Sequence, residues 1–242
     1  MDYKAGEILI FDKPLTWTSF ALVNRVRYQL CRHLRQKKLK VGHAGTLDPL
    51  ATGVLVICTG KATRQIDTLQ AGTKEYQATL QLGATTPSYD LETPIDATYP
   101  TRHITPQLIA ATLPRFIGTI RQIPPAYSAC KIDGHRAYDL ARQGLDVRLQ
   151  PKTLVIDRLE LTHFDPVAMT LDLHVTCSKG TYIRALARDI GQALGSGAHL
   201  TRLTRTRVGP YTLSHSIRLA DFPTWLAEHP QTDKQETNTH TI

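Results

Sequence analysis

The residues best placed for chemistry lie in one short glycine-flanked segment, residues 42–53, which reads GHAGTLDPLATG. It holds a single acid, Asp48, directly before Pro49. Proline favours an extended backbone at the residue before it, so the segment presents one carboxylate from a rigid loop. Alternatively, Asp48 and Pro49 form a helix start, with Asp48 as the cap. The two interpretations are compatible, because a nearby helix N-terminus favours an ionised carboxylate.

A second segment, CSKGTYIR at residues 177–184, connects a predicted strand to a predicted helix. It places Tyr182 and Arg184 in the first turn of that helix, where the backbone dipole and a guanidinium together favour a carboxylate or a phosphate. Arg184 is therefore a candidate partner for Asp48. The alternative is an ordinary surface arginine at a helix start.

The sequence carries no signature of a common cofactor or metal site. It has no GxxxxGK[ST] phosphate loop, no GxGxxG after a strand, no HExxH and no GxSxG. The cysteines lie tens of residues apart without a CxxC pair, so we expect reduced thiols in the core; they are Cys31, Cys58, Cys130 and Cys177. The sequence is therefore consistent with an enzyme that needs no cofactor or with a protein that only binds a partner.

Positive charge points to a polyanionic partner. The chain has a formal net charge of +8, from 29 basic and 21 acidic residues. Seven basic residues and no acid fall within residues 25–40, and a second acid-free stretch spans residues 196–218. These are Arg25, Arg27, Arg32, Arg35, Lys37, Lys38 and Lys40, then Arg202, Arg205, Arg207 and Arg218. Such patches are typical of nucleic-acid binding, although a solvated basic helix face has the same composition.

Hydrophobic periodicity predicts the elements that position these residues. Alternating patterns predict strands over residues 7–11, 76–82, 154–161 and 169–177. Helical spacing predicts helices after a cap at Thr18 or Ser19, over residues 104–116 and over residues 181–194, with loops at 83–101 and 122–134. The mixture is α+β. Tyr76 shares its strand face with three aliphatic side chains, which favours a core tyrosine; close to Asp48 it would stack on a base.

The chain has 242 residues, and its apolar runs are too short to cross a bilayer. The start has no signal-peptide pattern, so we expect a soluble cytoplasmic protein. We predict one catalytic domain over residues 1–230 and a polar flexible tail over residues 231–242.

Several short motifs follow one another along the chain. They are DKP at residues 12–14, the GHAGTLDPLATGVL segment, KEY at 74–76, IPPAYSACK at 123–131, SKGTYIR at 178–184 and GAHLTRL at 197–203. In this order and spacing they resemble the TruB family of tRNA pseudouridine-55 synthases. The resemblance spans roughly residues 6 to 220. It implies the pseudouridine synthase fold, a mostly antiparallel mixed central sheet flanked by helices and loops. We expect the family's additional C-terminal PUA module to be absent.

The resemblance also implies a function for the residues that match. The enzyme would isomerise uridine 55 in the T loop of tRNA by base flipping, with Asp48 as the nucleophile and Arg184 as its partner. Tyr76 would stack on the uracil and take the C5 proton, and Tyr182 and Leu203 would line the pocket.

More distant contacts follow from the same resemblance. His43 would hold displaced T-loop bases, although a lone histidine is otherwise structural. Candidates for contacts with the RNA backbone are Lys37, Lys38 and Arg205. Candidates for structural support or for phosphate contacts are Lys13 and Lys131. We expect no cofactor and no metal, and the T-stem loop of tRNA as partner. We also expect no membrane, no obligate protein partner and a monomer.

Two other classes of protein remain open. A non-catalytic RNA-binding protein or RNA chaperone would keep the fold and the basic faces. Such a protein would not need the combination of Asp48, Arg184 and Tyr76. A metal-dependent nuclease would use His43, Asp48 and other acids, but the sequence has no clustered carboxylates for two metals.

Overall fold

The structure, a computed structural model, describes residues 1–128, 130–132, 134–145, 147 and 149–231. Its strands are β1 (Ile8–Lys13), β2 (Val41–His43), β3 (Ala51–Thr59), β4 (Lys74–Leu82), β5 (Ala84–Thr85), β6 (Ala97–Thr98), β7 (Gly118–Gln122), β8 (Lys131–Ile132), β9 (His135–Arg136), β10 (Lys152–Asp165), β11 (Thr170–Cys177), β12 (Ala198–Val208), β13 (Tyr211–Thr212) and β14 (Ile217–Arg218). Its α-helices are α1 (Ser19–His33), α2 (Ile66–Ala71), α3 (Pro106–Thr112), α4 (Ala137–Arg142), α5 (Ile183–Ala193) and α6 (Phe222–Glu228).

A mixed sheet organises the fold. Within the described residues it has ten strands, in the order β14-β1-β3-β12-β4-β11-β10-β7, with β2 beside β3 and β13 beside β12. The β1–β14 and β3–β12 pairs are parallel, and the remaining pairs are antiparallel. The predicted α+β class with a mostly antiparallel mixed sheet is confirmed.

Three hydrophobic cores pack on the sheet within the described residues, and the smallest includes Val54 and Val56 of β3. The largest one lies under α5, where Leu186 and Ile190 pack against the buried faces of β4, β11 and β12. Along β4, buried residues such as Tyr76 and Leu80 alternate with more exposed polar residues. Because successive side chains of a strand point to opposite faces, one face of β4 packs into this core. A second core lies under α1 and α6 and includes Leu22 and Phe222.

The predicted elements are found at close to their predicted positions. Thr18 caps α1 by accepting a hydrogen bond from the Ala21 amide at 3.0 Å. The helix predicted over residues 104–116 is shorter in the structure. The α-helix ends at Thr112, and the last four residues of the predicted range, which include Pro114, form a 3₁₀ turn. Gln122 belongs to β7 instead of the loop. The basic helix ends at His33, so the basic residues from Lys37 to Lys40 lie in the connection to β2.

The remaining sequence expectations have different outcomes. All four cysteines are free, but only Cys58 and Cys177 are buried, whereas Cys31 and Cys130 are partly exposed. Among the described residues, no helix has the length and apolar content needed to span a membrane. The single-domain boundary at residue 230 stays a prediction, and residues 232–242 of the predicted tail lie outside the described residues.

Gly53 lies where three strands are tightly packed. It pairs with Lys13 of β1 on one side and with Arg205 of β12 on the other, and its φ is +100°. A Cβ at this position would clash with the backbone of Arg205. Only glycine lets β3 and β12 approach this closely in that conformation.

Gly53→Ala is therefore expected to destabilise the protein more than Gly118→Ala, which has a similar φ of +90° but no heavy atom within 4 Å of the added carbon. The control should lose about 1–3 kcal/mol from backbone strain, and Gly53→Ala about 1–3 kcal/mol more from overpacking. Urea unfolding measures both. Equal losses would mean that β3 and β12 can separate without cost.

Candidate active site

One cavity of about 310 Å³ brings together the residues of several sequence motifs. Its lining includes Asp48, Tyr76, Tyr182, Arg184 and Leu203. They come from the segment before β3, from β4, from the start of α5 and from β12. The volume is at the small end of the range for ligand sites. With Arg205, which also lines it, six of the predicted site residues thus share one cavity.

The central contact is an ion pair between Asp48 and Arg184. Arg184 Nε lies 2.9 Å from Asp48 Oδ2; the arginine side chain is 5% exposed and the aspartate side chain 39%. Asp48 is not a helix cap, since the Ala51 amide donates to the Asp48 carbonyl at 3.1 Å in a turn that leads into β3. The helix-start interpretation of this residue is wrong. Burial raises the pKa of the Asp48 carboxyl, and the guanidinium of Arg184 opposes that rise.

Residues before and within α1 hold the Asp48 turn on one side. The Ser19 hydroxyl donates to the Leu47 carbonyl at 2.9 Å and accepts from the Leu47 amide at 2.8 Å. The Thr16 amide donates to the Pro49 carbonyl at 2.8 Å. Lys13 is fully buried, and its ammonium donates to the Pro49 carbonyl at 3.3 Å. Both residues that flank Asp48 are therefore fixed through their backbone.

Arg205 holds the other side of the same segment. It is 2% exposed, and its guanidinium donates to the carbonyls of Gly45 at 3.0 Å, Thr46 at 3.2 Å and Val54 at 2.9 Å. Arg205 thus uses these hydrogen bonds within the protein, and its expected contact with the RNA backbone stays a prediction. It is a structural support for the Asp48 loop.

Arg184 also connects two loops to the site. Its guanidinium donates to the Ser88 carbonyl at 3.1 Å and the Tyr127 carbonyl at 2.9 Å, and its Nε lies 3.6 Å from Asp90 Oδ2. Sequence reasoning missed Asp90, which is a buried second carboxylate beside the ion pair. The only signal was an acid in a Thr- and Pro-rich loop, and that composition does not distinguish a buried acid from a solvated one.

The tyrosines of the cavity have polar contacts of their own. Burial raises the pKa of Tyr76, and nearby Arg205 opposes that rise. The Tyr182 hydroxyl lies 3.2 Å from Cys130 Sγ, which lies 3.5 Å from Lys152 Nζ. Sequence reasoning missed both as cavity residues, because Cys130 was expected to be a core thiol and Lys152 belongs to no motif.

His43 is on β2 and is absent from the described lining of the cavity. Burial, and then Arg205, lower the pKa of its imidazole, which favours the neutral form. Lys37 and Lys38 are exposed after α1. Lys13 supports the Asp48 turn, and the side chain of Lys131 lies outside the described part of the chain.

Solved structures share this fold. A chain in a Cbf5–Nop10–Gar1 complex matches with a TM-score of 0.69 and 28% identity, covering 96% of this chain and 58% of that chain. A chain in an archaeal box H/ACA sRNP Nop10–Cbf5 complex matches with a TM-score of 0.64 and 26% identity, covering 94% of this chain and 57% of that chain. This chain therefore spans less than two thirds of these two solved chains.

Two family models match most of the chain. Residues 32–183 match the TruB family pseudouridylate synthase N-terminal domain, and residues 184–238 match the tRNA pseudouridylate synthase B C-terminal domain. Fold and site thus define a pseudouridine synthase. Among relatives, tRNA pseudouridine synthase B of Phocaeicola vulgatus is 65% identical over 93% of this chain and 95% of its own length. The enzyme of the same name from Mycobacterium bovis is 46% identical over 92% of this chain and 72% of its own length.

The chain belongs to the TruB family of pseudouridylate synthases. This membership decides for the isomerase and against both the non-catalytic RNA-binding protein and the metal-dependent nuclease.

Removing the guanidinium in Arg184→Gln is expected to raise the pKa of Asp48 further, because burial would then act without its main opposing charge. In the variant, the carboxylate should protonate at a higher pH as the solution is acidified. Titration of the ¹³C-labelled Asp48 carboxyl by NMR measures this. Arg188→Gln removes the same charge one turn later on α5, where Arg188 pairs with Asp189, and should leave the titration almost unchanged. An unshifted Asp48 titration in Arg184→Gln would refute the electrostatic coupling.

Proposed function

We propose that this pseudouridine synthase isomerises uridine 55 in the T loop of tRNA, and that Asp48 is its nucleophile. The observation that carries the proposal is the Asp48–Arg184 ion pair at 2.9 Å in a cavity that also contains Tyr76. The relatives called tRNA pseudouridine synthase B support tRNA as the substrate. A monomer that works in the cytoplasm without a protein partner, a metal or a cofactor is part of the same proposal.

The reaction places specific demands on such a site. The bond between uracil N1 and ribose C1′ breaks, the base turns, and a bond forms between C5 and C1′. The C5 proton leaves and N1 gains one, so substrate and product are isomers and no electrons are exchanged. A carboxylate that forms a temporary covalent bond to the nucleoside and is later released suits these steps. Asp48 is the half-exposed carboxylate at the cavity, with Oδ2 held by Arg184.

The other cavity residues have distinct roles in this proposal. Arg184 orients Asp48 and favours its ionised form. Tyr76 stacks on the extruded uracil and takes the C5 proton. Burial raises the pKa of its phenol, and the charge of Arg205 opposes that rise. Tyr182 and Leu203 line the space around the base.

Uridine 55 is stacked within a folded loop, so the enzyme must extrude it. Unstacking costs a few kcal/mol, and contacts elsewhere on the RNA must offset it. Lys37 and Lys38 are exposed after α1 and are candidates for these contacts, mostly with phosphates. His43 is a candidate for contacts with the displaced T-loop bases. Specificity then comes from the loop shape and the extruded base, as is usual for RNA.

Asp48→Asn is expected to abolish turnover and to leave tRNA binding largely intact, because the amide keeps the shape and loses the nucleophile. Pseudouridine formation in a T-stem loop RNA and a binding titration with the same RNA test this. Asp221→Asn makes the same change at a surface pair with Arg218 and should behave like the wild type. Turnover by Asp48→Asn, or loss of binding alone, would contradict the assigned role.

Tyr76→Phe keeps the ring and removes the hydroxyl. We expect unchanged affinity for RNA and a turnover lower by about 10²–10⁴-fold, the usual contribution of general acid–base catalysis. Single-turnover rates at saturating enzyme separate this effect from binding. Tyr211→Phe, the same change outside the cavity, serves as the control. A wild-type rate in Tyr76→Phe would leave only the stacking role.

A further inference from the structure

The active-site cavity continues into a surface groove. Among the described residues, this groove is lined by Asp67, Gln70, Lys152, Thr153, Leu154, Lys179 and Gly180, and its volume is about 610 Å³. Gln70, Lys152, Lys179 and Gly180 also line the cavity itself. These four shared residues form the mouth of the cavity.

The two lysines at this mouth are free to bind a ligand. Lys152 and Lys179 are exposed, and neither forms a salt bridge with a carboxylate in the part of the chain that the structure describes. The other cations of the cavity are already bound: Arg184 by Asp48, Arg205 by backbone carbonyls, and Lys74 by the carbonyls of Gln70 and Gly72.

Both lysines are attached to rigid structure. Lys152 is the first residue of β10, and its ammonium lies 3.5 Å from Cys130 Sγ. Lys179 follows Ser178, whose amide donates to the Val155 carbonyl at 2.8 Å and whose hydroxyl accepts from the Val155 amide at 3.0 Å. The turn that carries Lys179 is thus fixed against the strand that carries Lys152. Burial and then Arg205 lower the pKa of Lys74 in the cavity to about 8, and Lys179 contributes least to that shift.

We propose that Lys152 and Lys179 bind the phosphates that flank the extruded uridine, and that the RNA strand leaves the cavity along this groove. The inference rests on the proposed function, since it takes the nucleotide in the cavity to be part of an RNA strand. A nucleotide whose ribose lies at Asp48 must carry a phosphate on each side, and ammonium groups at the mouth neutralise that charge where the strand turns inward. The only acid among the described groove residues, Asp67, belongs to α2, on the wall formed with Gln70.

Substitution at the mouth tests the proposal. Lys152→Ala and Lys179→Ala should each weaken binding of a T-stem loop RNA by up to about fivefold, the effect of one exposed charge pair. Each should also reduce the slope of log affinity against log salt by about 0.7. Lys152→Arg and Lys179→Arg should restore both values. Lys4→Ala removes one exposed charge in the N-terminal turn and should change neither. Binding and salt slopes equal to those of Lys4→Ala would overturn the inference.

A neutral linkage in the RNA locates the contact. With methylphosphonate on both sides of the target uridine, the wild type should lose about as much affinity as the double variant Lys152→Ala/Lys179→Ala loses with ordinary RNA. The double variant should then lose nothing further with the modified RNA. Additive losses would mean that the lysines bind elsewhere, and would overturn the inference while leaving the proposed function untouched. Failure of the wild type to modify ordinary T-stem loop RNA would instead overturn the proposed function, and this inference with it.

Discussion

The site depends on one ion pair between two distant parts of the chain. Asp48 precedes β3, and Arg184 lies in the first turn of α5, yet their side chains meet at 2.9 Å. A carboxylate in this partly closed cavity has a raised pKa, and a buried guanidinium without a partner is unfavourable. Each group therefore compensates the desolvation of the other. The same arginine binds the loops of Ser88 and Tyr127, so the pair also fixes the walls of the cavity.

The support of Asp48 is almost entirely through the backbone. Ser19 binds both backbone polar groups of Leu47. The Pro49 carbonyl accepts from Thr16 and Lys13. Arg205 donates to the carbonyls of Gly45 and Thr46. Such contacts do not depend on the side chains of the loop. They leave the Asp48 carboxylate to be oriented by Arg184, and a nucleophile requires a defined orientation.

Much of the fold follows from local sequence patterns. Period-two alternation located β4 and β11, and the Thr18 cap with helical spacing located α1, because these signals arise from neighbours along the chain. The motif resemblance brought Asp48, Tyr76 and Arg184 to one site. The burial of Arg205, the bond of Ser19 to Leu47 and the approach of Asp90 to Arg184 could not be found in this way. Each depends on residues far apart in sequence, which only the tertiary fold brings together; for Arg205 this is the parallel β3–β12 pair.

The most direct test of this account is a crystal structure of the Asp48→Asn variant with a T-stem loop RNA. The account predicts that uridine 55 is out of the base stack and in the cavity, beside Tyr76. Its ribose and base should lie within about 3–3.5 Å of the side chain at position 48, the distance of reacting groups, while Arg184 keeps its contact with that side chain. A uridine 55 that stays stacked in the loop, or that binds away from position 48, would contradict it.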